Sequence, residues 1–212
     1  MNKLLIFAFL LLNISLKGQS PDWLTYYEKS GFKETPRYKE LVDFCKKLDS
    51  ISPMVHFESF GISPQGRELP LMIIDKNGNS TVEEVRASGN IVLMVQCGIH
   101  SGESEGKDAM LMMARDIALK NKNVDLLEHI TILWIPVFNV DGHERFGQYS
   151  RINQNGPEEM GWRTTAQNLN LNRDYVKPKP LKCRHGIVFL TIGFQIFLLT
   201  RIPPTEQIIS MY

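Results

Sequence analysis

A chain of 212 residues with 43% apolar and 22% charged residues is long and apolar enough to bury one core. A formal net charge of +1 gives no electrostatic case for nucleic acid or for a strongly charged partner. Three cysteines, Cys45, Cys97 and Cys183, are odd in number and unrelated in spacing, so neither a disulfide framework nor a zinc knuckle is implied.

The first twenty residues read as a signal peptide. Met1-Asn2-Lys3 is a short positive start, residues 4–16 are apolar apart from Asn13 and Ser15, and Lys17-Gly18-Gln19-Ser20 is a small-residue exit. The run is short for a membrane span, which needs about 20 apolar residues. The expectation is a secreted or periplasmic protein with no membrane segment in its mature form.

Residues 36–48 place Tyr38, Leu41, Val42, Cys45 and Leu48 at helical spacing after a Thr-Pro start. Residues 55–60 and 69–75, around the Gln65-Gly66 turn, predict an edge hairpin. After the turn cluster Asn77-Gly78-Asn79-Ser80, residues 90–97 form a continuous apolar run, the mark of a buried strand. Residues 106–119 carry Ala109, Met110, Met113 and Ile117 at a helical period, and the methionines read as core packing. Residues 130–138 predict a second buried strand, and 147–168 a long polar loop. Strands alternating with helices imply an α/β fold with a mixed, mostly parallel sheet and flanking helices.

The chemistry starts at Gly98-Ile99-His100-Ser101-Gly102-Glu103, at the end of the first buried strand. His and Glu three residues apart can reach one metal ion, and imidazole with carboxylate suits zinc. Open α/β sheets place their sites at such strand ends. Three further landmarks accompany it: Ser63-Pro64-Gln65-Gly66-Arg67, Asn139-Val140-Asp141-Gly142, and Trp162-Arg163 followed by Asn170-Leu171-Asn172-Arg173-Asp174-Tyr175. In this order they resemble the zinc carboxypeptidase family over about residues 38–175. Gln65 stands where that family has Glu, Val140 where it has Pro, and Asp174 where it has Asn.

The resemblance implies a zinc-dependent carboxypeptidase, releasing C-terminal amino acids from peptides that carry a free terminal carboxylate. His100 and Glu103 would be zinc ligands. Arg163 would be the catalytic arginine facing the charge that develops on the scissile carbonyl. Asn172 and Arg173 would clamp the substrate carboxylate, and Arg67 would line outer subsites. Two other readings stand beside this one: a zinc amidohydrolase or peptidoglycan-stem peptidase of related fold, and a non-catalytic carboxylate-binding protein. Asn139, Asp141 and Gly142 read as turn-formers. His56, His129 and His143 read as ordinary residues.

Residues 21–177 thus read as the N-terminal part of a carboxypeptidase-like domain. The family's second zinc histidine, with its later tyrosine and general-base glutamate, has no counterpart in residues 178–212. His185 lacks the strand expected before it and reads as unrelated. Synonymous codons chosen for residues 199–207 and read from the third base give Asp-Thr-His-Thr-Thr-Asp-Gly-Ala, which resembles the family's second-histidine strand end. The tail is therefore expected to be out-of-frame translation, with the strands that complete the sheet missing and a buried edge left unpaired unless the apolar run of residues 186–199 patches it by chance.

Overall fold

The computed structural model describes residues 23–173 and 195–199. The expected signal peptide, His185, Asp174 and most of the 178–212 tail lie outside these described residues.

A four-residue helix α1 (Tyr26–Lys29) opens the described chain, closed at its start by a reciprocal capping box between Thr25 and Glu28. Helix α2 (Tyr38–Asp49) follows, as its periodicity predicts, and buries Leu41, Val42, Cys45 and Leu48. Residues 41, 45 and 48 are spaced to form one stripe, and each is fully buried. Arg37 precedes the helix without a side-chain cap. The first amide is satisfied instead from a distance, Tyr38 N donating to Glu144 Oε1 at 2.8 Å. A carboxylate at a helix N-terminus is also favoured by the helix dipole.

Strands β1 (Val55–Ile62) and β2 (Glu68–Ile74) pair antiparallel, with Val55 opposite Ile74. Helix α3 (Val82–Ser88) leads into β3 (Ile91–Gln96), then helix α4 (Glu105–Lys120), a 3-10 turn (Val124–Leu127), β4 (Ile130–Ile135) and helix α5 (Val140–His143). A second 3-10 turn (Leu171–Arg173) and strand β5 (Gln195–Leu199) complete the described elements.

The sheet runs in the order β1-β2-β4-β3-β5. The fold is mixed α/β, with β1 at one edge as the hairpin predicts. The expected predominance of parallel strands is not found among the described residues: β3 and β4 pair parallel, while β1–β2, β2–β4 and β3–β5 pair antiparallel. The reason lies in the connections. The β3–β4 link contains α4 and is long enough for a crossover, whereas β1 and β2 are joined by a short turn that can only reverse the chain. Strand β5 covers the outer edge of β3, in register from Val92 opposite Leu199 to Gln96 opposite Gln195.

Helix α2 packs on β1 and on α4. The core between helices and sheet includes the fully buried Met72, Ile74, Ile117, Leu127 and Trp134. Burying a side chain of this size contributes about 1.5–3 kcal/mol, so this core holds the end of β3 rigid beneath the loops that follow it. Among the described residues, no helix is long and apolar enough to cross a membrane.

Candidate active site

The buried ladder continues past the formal ends of β3 and β4. Cys97 N donates to Ile135 O, Phe138 N to Cys97 O and Asn139 N to Gly98 O, at 2.9, 2.9 and 3.0 Å. Two loops therefore leave the sheet side by side: residues 98–104, carrying His100 and Glu103, and residues 136–143, ending in α5. Glu103 N donates to His100 O at 2.9 Å, a turn that puts both side chains on one side.

His100 Nδ1 lies 3.0 Å from Glu103 Oε1, and His100 Nε2 lies 3.1 Å from Asn170 Oδ1. Asn170 Oδ1 also accepts from Asn172 N at 3.1 Å, which identifies that atom as the amide oxygen. An oxygen cannot donate, so His100 Nε2 must carry the hydrogen. In the neutral ring Nδ1 then presents a lone pair to a carboxylate oxygen. Two acceptors at 3.0 Å need a cation between them, either a proton or a metal ion. Zinc bonds of 2.0–2.2 Å at a tetrahedral angle set two ligand atoms roughly 3.3 Å apart, so a shift of a few tenths of an ångström would admit zinc. The second-nitrogen bond to Asn170 is the kind of outer partner that fixes a ligand histidine's tautomer. His100 is buried, with 5% of its surface exposed, whereas the Glu103 side chain is 40% exposed. These residues fit a zinc ion. Among the described residues, no group of three or more His, Cys, Asp or Glu is arranged to hold a metal.

The four sequence landmarks meet in one hydrogen-bonded net. Asp141 accepts from Ser63 Oγ at 2.8 Å, from Gln65 N at 3.2 Å and from Arg67 Nη1 at 2.8 Å. Ser101 Oγ donates to Asn139 O at 2.7 Å. Asn139 Nδ2 donates to Arg163 O at 3.3 Å, and Trp162 N donates to Gly142 O at 2.7 Å. The Asn139–Gly142 turn is thus the hub that joins the Ser63–Arg67 turn, the His100–Glu103 loop and the Trp162-Arg163 segment.

Of the predicted site residues, His100 and Glu103 touch each other. Asn172 reaches His100 through Asn170, and Arg163 is tied to the His100–Glu103 loop through its carbonyl, Asn139 and Ser101. Arg173 is exposed, its Nη1 donating to Asn172 O at 3.1 Å. Arg67 is 30% exposed and ion-paired with the buried Asp141, so it braces its own turn.

Several residues had no signal in the sequence. Arg151 Nη1 donates to Glu103 Oε1 at 3.0 Å across a separation of 48 residues. Asn170 could have been suspected, because it sits two residues before Asn172 in the same motif. His143, read as ordinary, is fully buried. Its Nε2 lies 2.9 Å from Lys107 Nζ, which also donates to Pro36 O at 3.0 Å, and its Nδ1 lies 3.0 Å from Glu144 Oε1. Burial, and secondarily the Lys107 charge, pushes the His143 imidazole down to about 4. Burial also takes the Lys107 ammonium down to about 8, and Asp108 up to about 6.

Residues 41–184 match the zinc carboxypeptidase family. The chain belongs to that family. It is 33% identical over 149 residues to the probable carboxypeptidase 2 of Arthroderma benhamiae, covering 69% of this chain and 25% of that protein. To carboxypeptidase 2 of Trichophyton rubrum it is 28% identical over 160 residues, covering 74% of this chain and 27% of that protein. The chain therefore spans about a quarter of the length of these relatives. Among solved structures, a putative carboxypeptidase A from Shewanella denitrificans superposes with a TM-score of 0.51 at 19% identity, covering 66% of this chain and 32% of that one. That likeness shows the fold. Membership in the zinc carboxypeptidase family implies zinc.

Proposed function

We propose that the protein to which this chain belongs is a secreted or periplasmic zinc metallocarboxypeptidase that cleaves C-terminal residues from peptides with a free α-carboxylate. The observation that carries the proposal is the lone pair of His100 Nδ1 facing Glu103 Oε1 at 3.0 Å, with the other ring nitrogen held by Asn170. His100 and Glu103 would hold one zinc ion, which when bound polarises a carbonyl and acidifies a water. Arg163 would place its guanidinium where negative charge develops on the carbonyl oxygen. Arg173 offers a planar fork suited to a carboxylate, with Asn172 beside it. Arg67, engaged by Asp141, would act on outer subsites only through the part of its side chain left exposed. The apolar N-terminal run supports export.

The test compares peptides with free and amidated C-termini, using the full-length enzyme and its Arg173→Ala variant. The free acid is expected to be preferred, and R173A is expected to raise KM for it with little change in kcat. Equal cleavage of acid and amide would overturn the clamp and favour the amidohydrolase reading.

A further inference from the structure

We propose that Arg151 is a positioning residue for the Glu103 carboxylate, and that Gly102 is glycine to seat it. The proposal rests on His100 and Glu103 being metal ligands. Arg151 lies in a loop closed at its base by an antiparallel bridge, Gly147 N donating to Met160 O at 3.0 Å and Met160 N to Gly147 O at 3.3 Å. The loop folds back over the metal-bearing turn. Gln154 Nε2 donates to Gly102 O at 2.8 Å and to Gly156 O at 2.9 Å, and Gln154 N donates to Arg151 O at 3.3 Å. From this brace Arg151 Nη1 reaches Glu103 Oε1 at 3.0 Å.

The pair differs from a solvated surface ion pair in which partner is buried. The Arg151 side chain is 17% exposed against 40% for Glu103, and Arg151 Nε is buried without a hydrogen-bond partner. A part-exposed carboxylate is thus held by a more deeply buried cation. Oε1 is the same oxygen that faces His100 Nδ1, so the guanidinium occupies one lone-pair direction and leaves the other toward the histidine. Arg suits this because its planar fork loses less freedom per bond than a lysine stem.

Gly102 supplies the space. A Cβ there would stand 2.5 Å from Arg151 Cδ, 3.0 Å from Arg151 Cγ and 3.0 Å from Gly161 O. Two of these atoms, including the nearest, are mid-stem in Arg151, between a backbone and a head group that are both tethered. They cannot move aside without breaking the bond to Glu103. An alanine at 102 should therefore act through Arg151.

Zinc affinity of the 212-residue chain, measured by competition with a chromophoric chelator, tests the proposal without relying on turnover. Removing outer-shell partners of metal ligands typically weakens binding about 10–100-fold. Arg151→Met is expected to fall in that range, with Arg151→Lys between it and the wild type. Gly102→Ala should weaken binding alone, yet add less than about twofold in the R151M background, since residues acting through one contact are not additive. R151K, which keeps the charge and most of the stem, serves if R151M loses its far-ultraviolet dichroism. Wild-type or tighter binding by folded R151M overturns the proposal, provided His100→Ala abolishes binding. Undiminished binding by H100A would sink the ligand reading itself, and this proposal with it.

Discussion

Lys107 is a buried ammonium in the described core, and taking such a charge out of water is costly. It stands fully buried on the inner face of α4, in the stripe that continues through Leu111 and Ala114. Its ammonium faces His143, Asp108 and Glu144, with Cys97 near, and it bonds to Pro36 O. This cluster ties residues 35–38 to α4 and α5, helped by Thr35 Oγ1 donating to Asp108 Oδ2 at 2.8 Å. Burial brings the folded Lys107 from 10.5 to about 8. Between those values the unfolded chain binds more protons, so this group's contribution to stability rises with pH from about 8 to about 10.5. In acid, His143 and Asp108 oppose each other. From about pH 4 to 6 unfolding takes up a proton on His143, whose folded value is about 4, and releases one from Asp108, whose folded value is about 6. We predict that the stability of the wild type relative to Lys107→Met grows as pH rises from 8 to 10.5. Taking the difference cancels the Cys45 thiol, which burial alone raises, whereas Cys97 is coupled to the Lys107 charge and does not cancel fully. Urea unfolding of the two proteins at matched pH measures it, and a flat difference above pH 8 would refute the buried-ammonium account. Lys107 carried no signal in the sequence that marked it as buried. Nothing in the sequence placed His143 opposite it, because the contact joins residues 36 apart on different elements.

The long elements followed from periodicity. The α2 stripe, the hairpin, the β3 and β4 runs and α4 were all expected within a few residues of their bounds, because each spans enough residues for its repeat to show. Helices α3 and α5, at seven and four residues, are too short for that. Their signals are local: the Thr81/Glu84 capping box before α3, and Asn139 Oδ1 accepting from Gly142 N at 3.0 Å at the start of α5. Asn139, Asp141 and Gly142 were legible as turn-formers, but not as the hub of the site. At Gly142 the constraint is close approach. A Cβ there would meet Thr164 O at 2.4 Å and Trp162 O at 2.8 Å, both backbone atoms of the segment carrying Arg163. We predict that Gly142→Ala pushes this segment off α5, breaks the Trp162 N–Gly142 O bond and destabilises the fold by about 1–3 kcal/mol. Limited proteolysis should then cut within residues 145–170 faster than in the wild type. Unchanged cleavage and stability would mean the segment is held by contacts other than the Gly142 turn.

At the scale of the molecule, the sheet brings the His100–Glu103 loop, the Asn139 hub and the Arg163 segment to one end, and the motifs announced that convergence by their family order. What they did not announce is how the contacts run, since hydrogen bonds such as Ser63–Asp141 and His100–Asn170 join residues 70 or more apart. On the proposed reading the described residues contribute two metal ligands, His100 and Glu103, while a catalytic zinc site of this chemistry uses three protein ligands and a water. Each protein ligand contributes to metal affinity, and metal binding adds to folding free energy in proportion. We therefore predict that the 212-residue chain binds zinc in a readily exchangeable form, that a chelator strips it with little change in the unfolding midpoint, and that C-terminal peptide substrates are not turned over. Lacking a positioned general base alone would cost about 10²–10⁴-fold. Dialysis against a chelator, followed by metal analysis and a thermal melt, checks the first two statements, and a C-terminal peptide assay checks the third. Chelator-sensitive turnover by this chain would instead require a third ligand and a base from residues beyond those described, and His185→Ala would be the first variant to examine.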